Sequence, residues 1–152
     1  MILALGVTAA VLLVLTEVTT LIVIDVQGLG CEDAVANLED AAECEKTGGE
    51  HHSFALLAVA VLVAVMAVGA GLGGSRPAGF ALIAAGVVVL GIVLIGDLPD
   101  TSKTGQVGTR FDDADAGPGP AFWFELAGGL LALVAGGLRV ADQRGAQATP
   151  AT

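Results

Sequence analysis

The chain has 152 residues, of which 55% are hydrophobic and only 14% are charged, yet its formal net charge is -10. This length leaves room for one compact domain, and the acidic balance excludes nucleic acid as a partner, since like charges repel. We find no glycine-rich phosphate loop, Ser-His-Asp grouping or spaced set of metal ligands. The sequence therefore predicts a non-enzymatic protein without a cofactor.

Four apolar runs, at residues 2–26, 54–74, 78–98 and 121–140, make up more than half of the chain. A helix that rises ~1.5 Å per residue needs ~20 residues to cross ~30 Å of hydrocarbon, and each run is at least that long. The sequence predicts an all-α protein, a four-transmembrane-helix bundle embedded in a lipid bilayer. The first run far exceeds the apolar core of a signal peptide, so we interpret it as a retained helix.

The polar segments between these runs fall on two sides of the predicted bundle. Residues 27–53 and 99–120 form two loops on one side, and the second of them, rich in Gly and Pro, is expected to be irregular. Residues 75–77 form a tight turn on the other side, where residues 141–152 form a tail that we expect to be disordered. Both loops are acidic: eight acids accompany Lys46 in the first loop region, starting from Asp25, and five accompany two basic residues from Asp97 onward.

Orientation follows from the basic residues. The turn side carries Arg76, Arg139 and Arg144. Arg76 lies in a tight turn and Arg139 at a helix end, where the positive-inside rule applies most strongly. We therefore predict a multi-pass protein of the cell membrane with both termini in the cytoplasm and both acidic loops outside.

The two cysteines, Cys31 and Cys44, both lie in the first loop. An even number of cysteines in an oxidising compartment indicates one disulfide, and the alternative is two free or intermolecular thiols. Residues 32–46 also fit a helix, but a continuous helix would separate the cysteines by ~20 Å, whereas a disulfide tolerates ~7 Å between Cα atoms. We expect a shorter helix with a turn that returns Cys44 to Cys31.

Small residues recur at helical spacing within the runs. Gly128, Ala132 and Gly136 form one such stripe in the fourth run. Because lipid removes the hydrophobic drive for helix association, small residues that let backbones approach mark the contact faces. We expect these stripes to face the interior of the bundle.

Two acids stand inside apolar runs, Glu17 in the first and Glu125 in the fourth. An acid within a transmembrane run is costly and faces the interior or water, so we treat the pair, together with Thr20, as a candidate intramembrane polar or proton site. The alternative is that a protonated glutamic acid only donates a hydrogen bond between helices.

His51 and His52 stand beside Glu50 at the start of the second run. This group is a candidate outer metal or pH-sensing site. Adjacent helical residues point ~100° apart, so we expect that the two histidines could share one metal from a loop but not from one helix face.

These features favour an accessory or interaction subunit of the cell envelope that uses its acidic outer loops, with another membrane protein or a second copy of itself as partner. The alternative is a small proton-coupled transporter or ion-conducting oligomer that uses Glu17 as its coupling group.

Overall fold

A computed structural model describes residues 1–26, 29–31 and 44–147. The described chain is mostly helical. Its helices are α1 Ile2–Val18, α2 Gly48–His52, α3 Ala55–Gly71, α4 Arg76–Gly91, α5 Leu98–Asp100, α6 Gly105–Arg110 and α7 Pro120–Gln147, with a π-helical turn at Ile92–Asp97 that joins α4 to α5. Its strands are β1 Thr20–Val26, β2 Leu29–Gly30, β3 Glu45–Thr47 and β4 Ala114–Pro118.

The four long helices α1, α3, α4 and α7 pack into one bundle in which α7 contacts both α1 and α4, and α1 contacts α3. Glycines allow the backbones of these helices to approach one another closely. A Cβ added at Gly86 of α4 would lie 2.7 Å from the Gly129 carbonyl oxygen of α7, and one at Gly128 would lie 3.1 Å from the Leu13 side chain of α1. The predicted inward stripe of Gly128, Ala132 and Gly136 is buried, which confirms that expectation.

The first apolar run is not one helix. Helix α1 ends at Val18, and the rest of the run is the strand β1. The run from Val18 onward is rich in β-branched residues, which lose side-chain freedom in helices and fit a pleated strand well; they are Val18, Thr19, Thr20, Ile22, Val23, Ile24 and Val26. The prediction of a helix over residues 2–26 is therefore wrong in its last third, and Glu17 lies in the last turn of α1 rather than deep within a longer helix.

The strand β1 is the centre of a small antiparallel sheet that covers one end of the bundle. It pairs with β2 and β3, and also with β4, in the register Ile22 to Pro118 through Val26 to Ala114. We call the four strands with α2 and α6 the cap, and the end of the bundle beneath them the cap end. The opposite end holds the turn between α3 and α4.

The predicted disulfide is confirmed: Cys31 and Cys44 are bonded within the chain, with Cα atoms 5.5 Å apart. Both cysteines are buried with Ile24, Val26 and Val107 in a second apolar core inside the cap. The helix expected over residues 32–46 falls largely outside the described residues, and its last two positions lie in β3.

Two other expectations need correction. The second loop is not irregular, since it contains α6 and β4, and β4 forms because it can pair along the open edge of β1. The expected tail continues α7 as far as Gln147. Ala141 and other good helix formers follow Arg139 without a helix breaker until Gly145, so nothing ends the helix at the edge of the apolar run.

Two segments are long and apolar enough to cross a membrane, Arg76–Asp100 with 25 residues and Pro120–Asp142 with 23. The apolar helices Ile2–Val18 and Ala55–Gly71 have 17 residues each. On length and composition, the described chain thus contains two candidate spans and two shorter apolar helices packed beside them.

Candidate functional site

Five ionisable side chains converge at the cap end of the bundle. Glu17 lies in the last turn of α1, His51 and His52 end α2 just before α3 begins, Asp97 ends the π-helical turn, and Glu125 lies in the second turn of α7. Because neighbouring helices of the bundle run in opposite directions, the ends of α1 and of the π-helical turn lie beside the starts of α3 and α7. Four distant stretches of sequence therefore meet at one level.

The histidine rings and the carboxylates of Asp97 and Glu125 approach closely. His51 Nε2 lies 3.3 Å from Asp97 Oδ1, and His52 Nε2 lies 3.6 Å from the same oxygen. His52 Nε2 is also 3.5 Å from Glu125 Oε2. Asp100, one helical turn beyond Asp97, places Oδ2 3.7 Å from His51 Nε2. We call His51, His52, Asp97 and Glu125 the histidine–carboxylate centre.

The carboxylates of this region are enclosed and lack hydrogen bonds. Glu125 is fully buried, Asp97 is 1% exposed and Glu17 is 2% exposed. None of their six carboxylate oxygens accepts a hydrogen bond from the described residues, and His51 Nδ1 is likewise buried without a partner there. A buried, unpaired carboxylate costs several kcal/mol. The region is therefore suited to hold positive charge.

Helix α2 is held in place by its own cap and by two glycines. The Thr47 hydroxyl accepts from the Glu50 backbone N–H, and the Glu50 carboxylate accepts from the Thr47 backbone N–H, which together form a capping box. Gly48 and Gly49 are buried against the end of α1, where a Cβ on Gly48 would lie 2.2 Å from the Thr16 carbonyl oxygen. Only glycine permits this close contact between α2 and α1, and the contact positions the two histidines above the end of the bundle.

The chain then reverses through two strained residues. Ser53 and Phe54 have φ values of 52° and 59°, in the left-handed region that costs non-glycine residues ~1 kcal/mol or more. Such strain persists where the surroundings impose it. Here it separates α2 from α3, so the two histidines are not constrained by the regular geometry of a long helix.

Asp97 owes its position to the π-helical turn. Pro99 has no N–H to donate to the preceding turn, and its ring crowds the carbonyl four residues earlier, so a regular α-helix cannot run through it. The helix widens over Ile92–Asp97 and continues through Pro99 to Asp100. Wide turns of this kind occur frequently at functional sites.

The two histidines differ in their proton affinity. Burial lowers the pKa of His51 below its usual value, and the neighbouring ring of His52 acts in the same direction. The carboxylate of Glu125 raises the pKa of His52 above its usual value, with Asp97 adding to the effect while burial opposes it. The neutral form is thus favoured for the His51 ring and the protonated form for the His52 ring, each relative to an ordinary histidine.

Several of the predicted site residues meet here and others do not. Glu125, His51 and His52 belong to the centre, and Glu17 is near enough for its charge to raise the pKa of His52. The two predicted sites are thus one. His51 and His52 are adjacent at the end of α2, and both Nε2 atoms lie within 3.6 Å of Asp97 Oδ1.

Glu50 and Thr20 are not part of the centre. Glu50 is exposed and caps α2, and Thr20 lies in β1 opposite Thr47. The hydroxyls of the other threonines near Glu17 donate hydrogen bonds to backbone carbonyls one helical turn earlier. Thr16 donates to the Leu12 carbonyl at 3.1 Å, and Thr19 donates to the Leu15 carbonyl at 2.8 Å.

Sequence reasoning missed Asp97 and Asp100, which it counted among the acids of a solvated loop. The signal was available: Asp97 directly ends an apolar run, and antiparallel helices place that end beside the start of the fourth run. No protein-family model, curated protein or solved structure matches this chain. A function for this chain must therefore be inferred from the geometry of the site.

Proposed function

We propose that this chain is a small, non-enzymatic integral membrane protein of the cell envelope that binds a cation at the buried centre beneath its outer cap. The observation that carries the proposal is the convergence of three buried carboxylates, Glu17, Asp97 and Glu125, whose oxygens have no hydrogen-bond donor among the described residues. Two histidines are their nearest nitrogen ligands. Such a centre is stable when it holds compensating positive charge.

Membrane insertion is supported by the outside of the bundle. Large apolar side chains face outward along its length, including Val61 at 63% and Ile95 at 81% exposure. In water these would form an extended apolar surface, whereas lipid solvates them. Trp123 is 56% exposed near the cap end, where aromatic rings anchor helices at the membrane interface.

The two 17-residue helices also fit a bilayer. At ~1.5 Å per residue each spans about 26 Å, slightly less than the ~30 Å hydrocarbon core. A mismatch of a few ångströms costs fractions of a kcal/mol per ångström and is met by local thinning. The cap sits directly on their ends, so the backbone polar groups beyond α1 are paired within the sheet.

Orientation rests on two independent features. The disulfide lies in the cap, and disulfides persist in oxidising compartments. Arg76 and Arg139 lie at the opposite end, where Arg139 donates to the Gly74 carbonyl. Single-cysteine variants Ser75→Cys and Ser102→Cys test the orientation: an impermeant thiol reagent on whole cells should label only Ser102→Cys. Labelling of Ser75→Cys alone would invert the proposed orientation.

The cation-binding role is tested by charge removal. In chelator-treated protein, the double substitution Asp97→Asn with Glu125→Gln should raise the thermal unfolding temperature above that of wild type, because it removes two buried carboxylates from one enclosed site. Added cations should then stabilise wild type and leave the double variant unchanged. A double variant that is less stable than wild type under both conditions would contradict the proposal.

The acidic cap is the proposed contact surface for a partner, either another membrane protein or a second copy of this chain. Affinity purification in mild detergent should recover that partner in stoichiometric amount. Repeated recovery of the monomer alone would count against an accessory role.

Proton-coupled transport is the second candidate, favoured by the burial of Glu17 with both carboxylate oxygens unpartnered. Glu17→Gln keeps the shape of a protonated glutamic acid and removes its titration. It should abolish proton-linked flux in liposomes if Glu17 is the coupling group, and leave folding intact. Wild-type liposomes without any proton-linked flux would eliminate this candidate.

A further inference from the structure

We propose that the histidine–carboxylate centre binds one divalent transition-metal ion of the Zn²⁺ class, with His51 Nε2, His52 Nε2 and carboxylate oxygens of Asp97 and Glu125 as ligands. This inference rests on the proposed cation-binding function and names the ion. It is carried by the geometry of the centre, the chemistry of its ligand atoms and the burial of its carboxylates.

The first step is distance. The ligand atoms of His51, His52 and Asp97 all lie within 4.8 Å of one another. The three nitrogen–oxygen separations in the centre, 3.3, 3.5 and 3.6 Å, exceed the ~2.7 to 3.2 Å of good hydrogen bonds. Two ligands that each lie ~2.0 to 2.2 Å from a tetrahedral ion are about 3.3 to 3.6 Å apart. The atoms are thus spaced to share an ion rather than to bond one another.

The second step is ligand chemistry. Ca²⁺ and Mg²⁺ prefer all-oxygen ligand sets, whereas imidazole nitrogen suits Zn²⁺, Fe²⁺, Co²⁺ and Ni²⁺. Two imidazoles and two carboxylates supply the four nitrogen and oxygen ligands that a tetrahedral Zn²⁺ site takes. The centre therefore discriminates in favour of borderline transition metals over the abundant hard cations.

The third step is charge. With both histidines neutral, Asp97 and Glu125 bring two negative charges into a region where they are at most 1% exposed. A divalent ion cancels both charges and is coordinated by the carboxylate oxygens, so it offsets the cost of burying the two carboxylates. Glu17, buried nearby with both carboxylate oxygens unpartnered, is a third acidic group that favours a cation in this region without being one of the ligands.

The fourth step is access. A cavity of about 240 Å³ borders the centre, and both His51 and Asp100 line it. Its other walls include Lys46 of β3, Lys103 and Thr104 just before α6, and Gly105 at the start of α6. Asp100, which is paired with Lys103, and His51 both line this cavity, so an ion that enters the cavity would reach His51 without crossing the apolar bundle.

Titration of the purified full chain in detergent tests the assignment. After treatment with a chelator, Zn²⁺ should bind at one ion per chain in calorimetry, and Co²⁺ should give the intense visible absorption of a tetrahedral site. Ca²⁺ and Mg²⁺ should produce neither heat nor stabilisation. Asp97→Asn and His52→Gln should each weaken Zn²⁺ binding on the order of 100-fold or more, since even indirect partners of a metal contribute 10- to 100-fold.

Glu50→Gln is the matched control, because it removes an acid adjacent to His51 in sequence that points away from the centre and keeps the capping box. It should leave Zn²⁺ affinity unchanged. Absence of Zn²⁺ binding and of the Co²⁺ spectrum in wild type, or Zn²⁺ binding that survives Asp97→Asn and His52→Gln, would overturn the inference. If Zn²⁺ does not bind but another added cation stabilises wild type and leaves the Asp97→Asn and Glu125→Gln pair unchanged, the proposed function stands and only the assignment of the ion fails; if no added cation stabilises wild type, both fail.

Discussion

Substitution of Gly48 by alanine tests how the histidines are held. The added Cβ would lie 2.2 Å from the Thr16 carbonyl oxygen and 2.9 Å from its carbonyl carbon, and both atoms belong to the backbone of α1. An ordinary carbon–oxygen contact is about 3.3 Å, so α2 must move by roughly 1 Å. The same movement lengthens the hydrogen bond from the Gly48 N–H to the Thr19 carbonyl, now 3.1 Å.

Overpacking of this size typically costs about 1 to 3 kcal/mol of unfolding free energy. Since metal ligands must hold their positions to within ~0.5 Å, Zn²⁺ affinity should also fall at least tenfold. Chemical unfolding in detergent, followed by circular dichroism, measures the first effect, and competition with a chromogenic chelator measures the second.

Gly137→Ala is the control, because a Cβ at Gly137 of α7 meets nothing within 4 Å. It should stabilise the protein by up to ~1 kcal/mol, the usual gain when alanine replaces glycine inside a helix. If Gly48→Ala matches wild type in both stability and Zn²⁺ affinity, α2 does not pack on α1 as described, and the account of how the histidines are positioned fails.

Three further outcomes are expected from changes outside the centre. Replacement of Cys31 and Cys44 by serine should lower the unfolding free energy by ~3 kcal/mol in the chain-entropy model, since the bond closes a loop with a sequence separation of 13, and mass spectrometry of alkylated, unreduced wild type should find no free thiol. Gly86→Ala should destabilise the bundle by about 1 to 3 kcal/mol because its Cβ would lie 2.7 Å from the backbone of α7, whereas Gly91→Ala, at the end of the same helix and in open space, should not; denaturant titrations of the pair compare them. Thr47→Ala removes the capping box and should cost about 1 kcal/mol and weaken Zn²⁺ binding, as calorimetry would detect.

The candidate site was partly predictable because acidic residues within apolar runs are energetically costly and therefore stand out in the sequence. Glu17 and Glu125 stand out as acids within apolar runs, and the paired histidines border another run. What sequence alone did not supply is that these belong to one centre. That step needs the helix order and the level of each helix end, and a single helix over residues 2–26 does not place Glu17 in a last helical turn.

The cap was harder to predict. The β-branched content of residues 18–26 indicates a strand, but the length and hydropathy of the run favour a membrane helix equally well. The strand β4, Ala114–Pro118, contains Gly and Pro and has no strand pattern of its own. It becomes a strand only because β1 offers an unpaired edge, which is a tertiary effect that local propensity does not encode.

The tight packing of the bundle and the spacing of the centre belong together. Asp97 and Glu125 come from helices whose contact is fixed by the backbone approach at Gly86, and the histidines come from a segment fixed on α1 by Gly48. The positions of these side chains are thus fixed by contacts between neighbouring backbones rather than by contacts with flexible side chains. Because backbone contacts of this kind shift little, the histidine nitrogens can be held 3.3 to 3.6 Å from the carboxylate oxygens of Asp97 and Glu125 despite the mutual repulsion of the two carboxylates. The glycines that make the bundle close-packed are, on this view, also what makes a buried charged centre tolerable in an apolar protein.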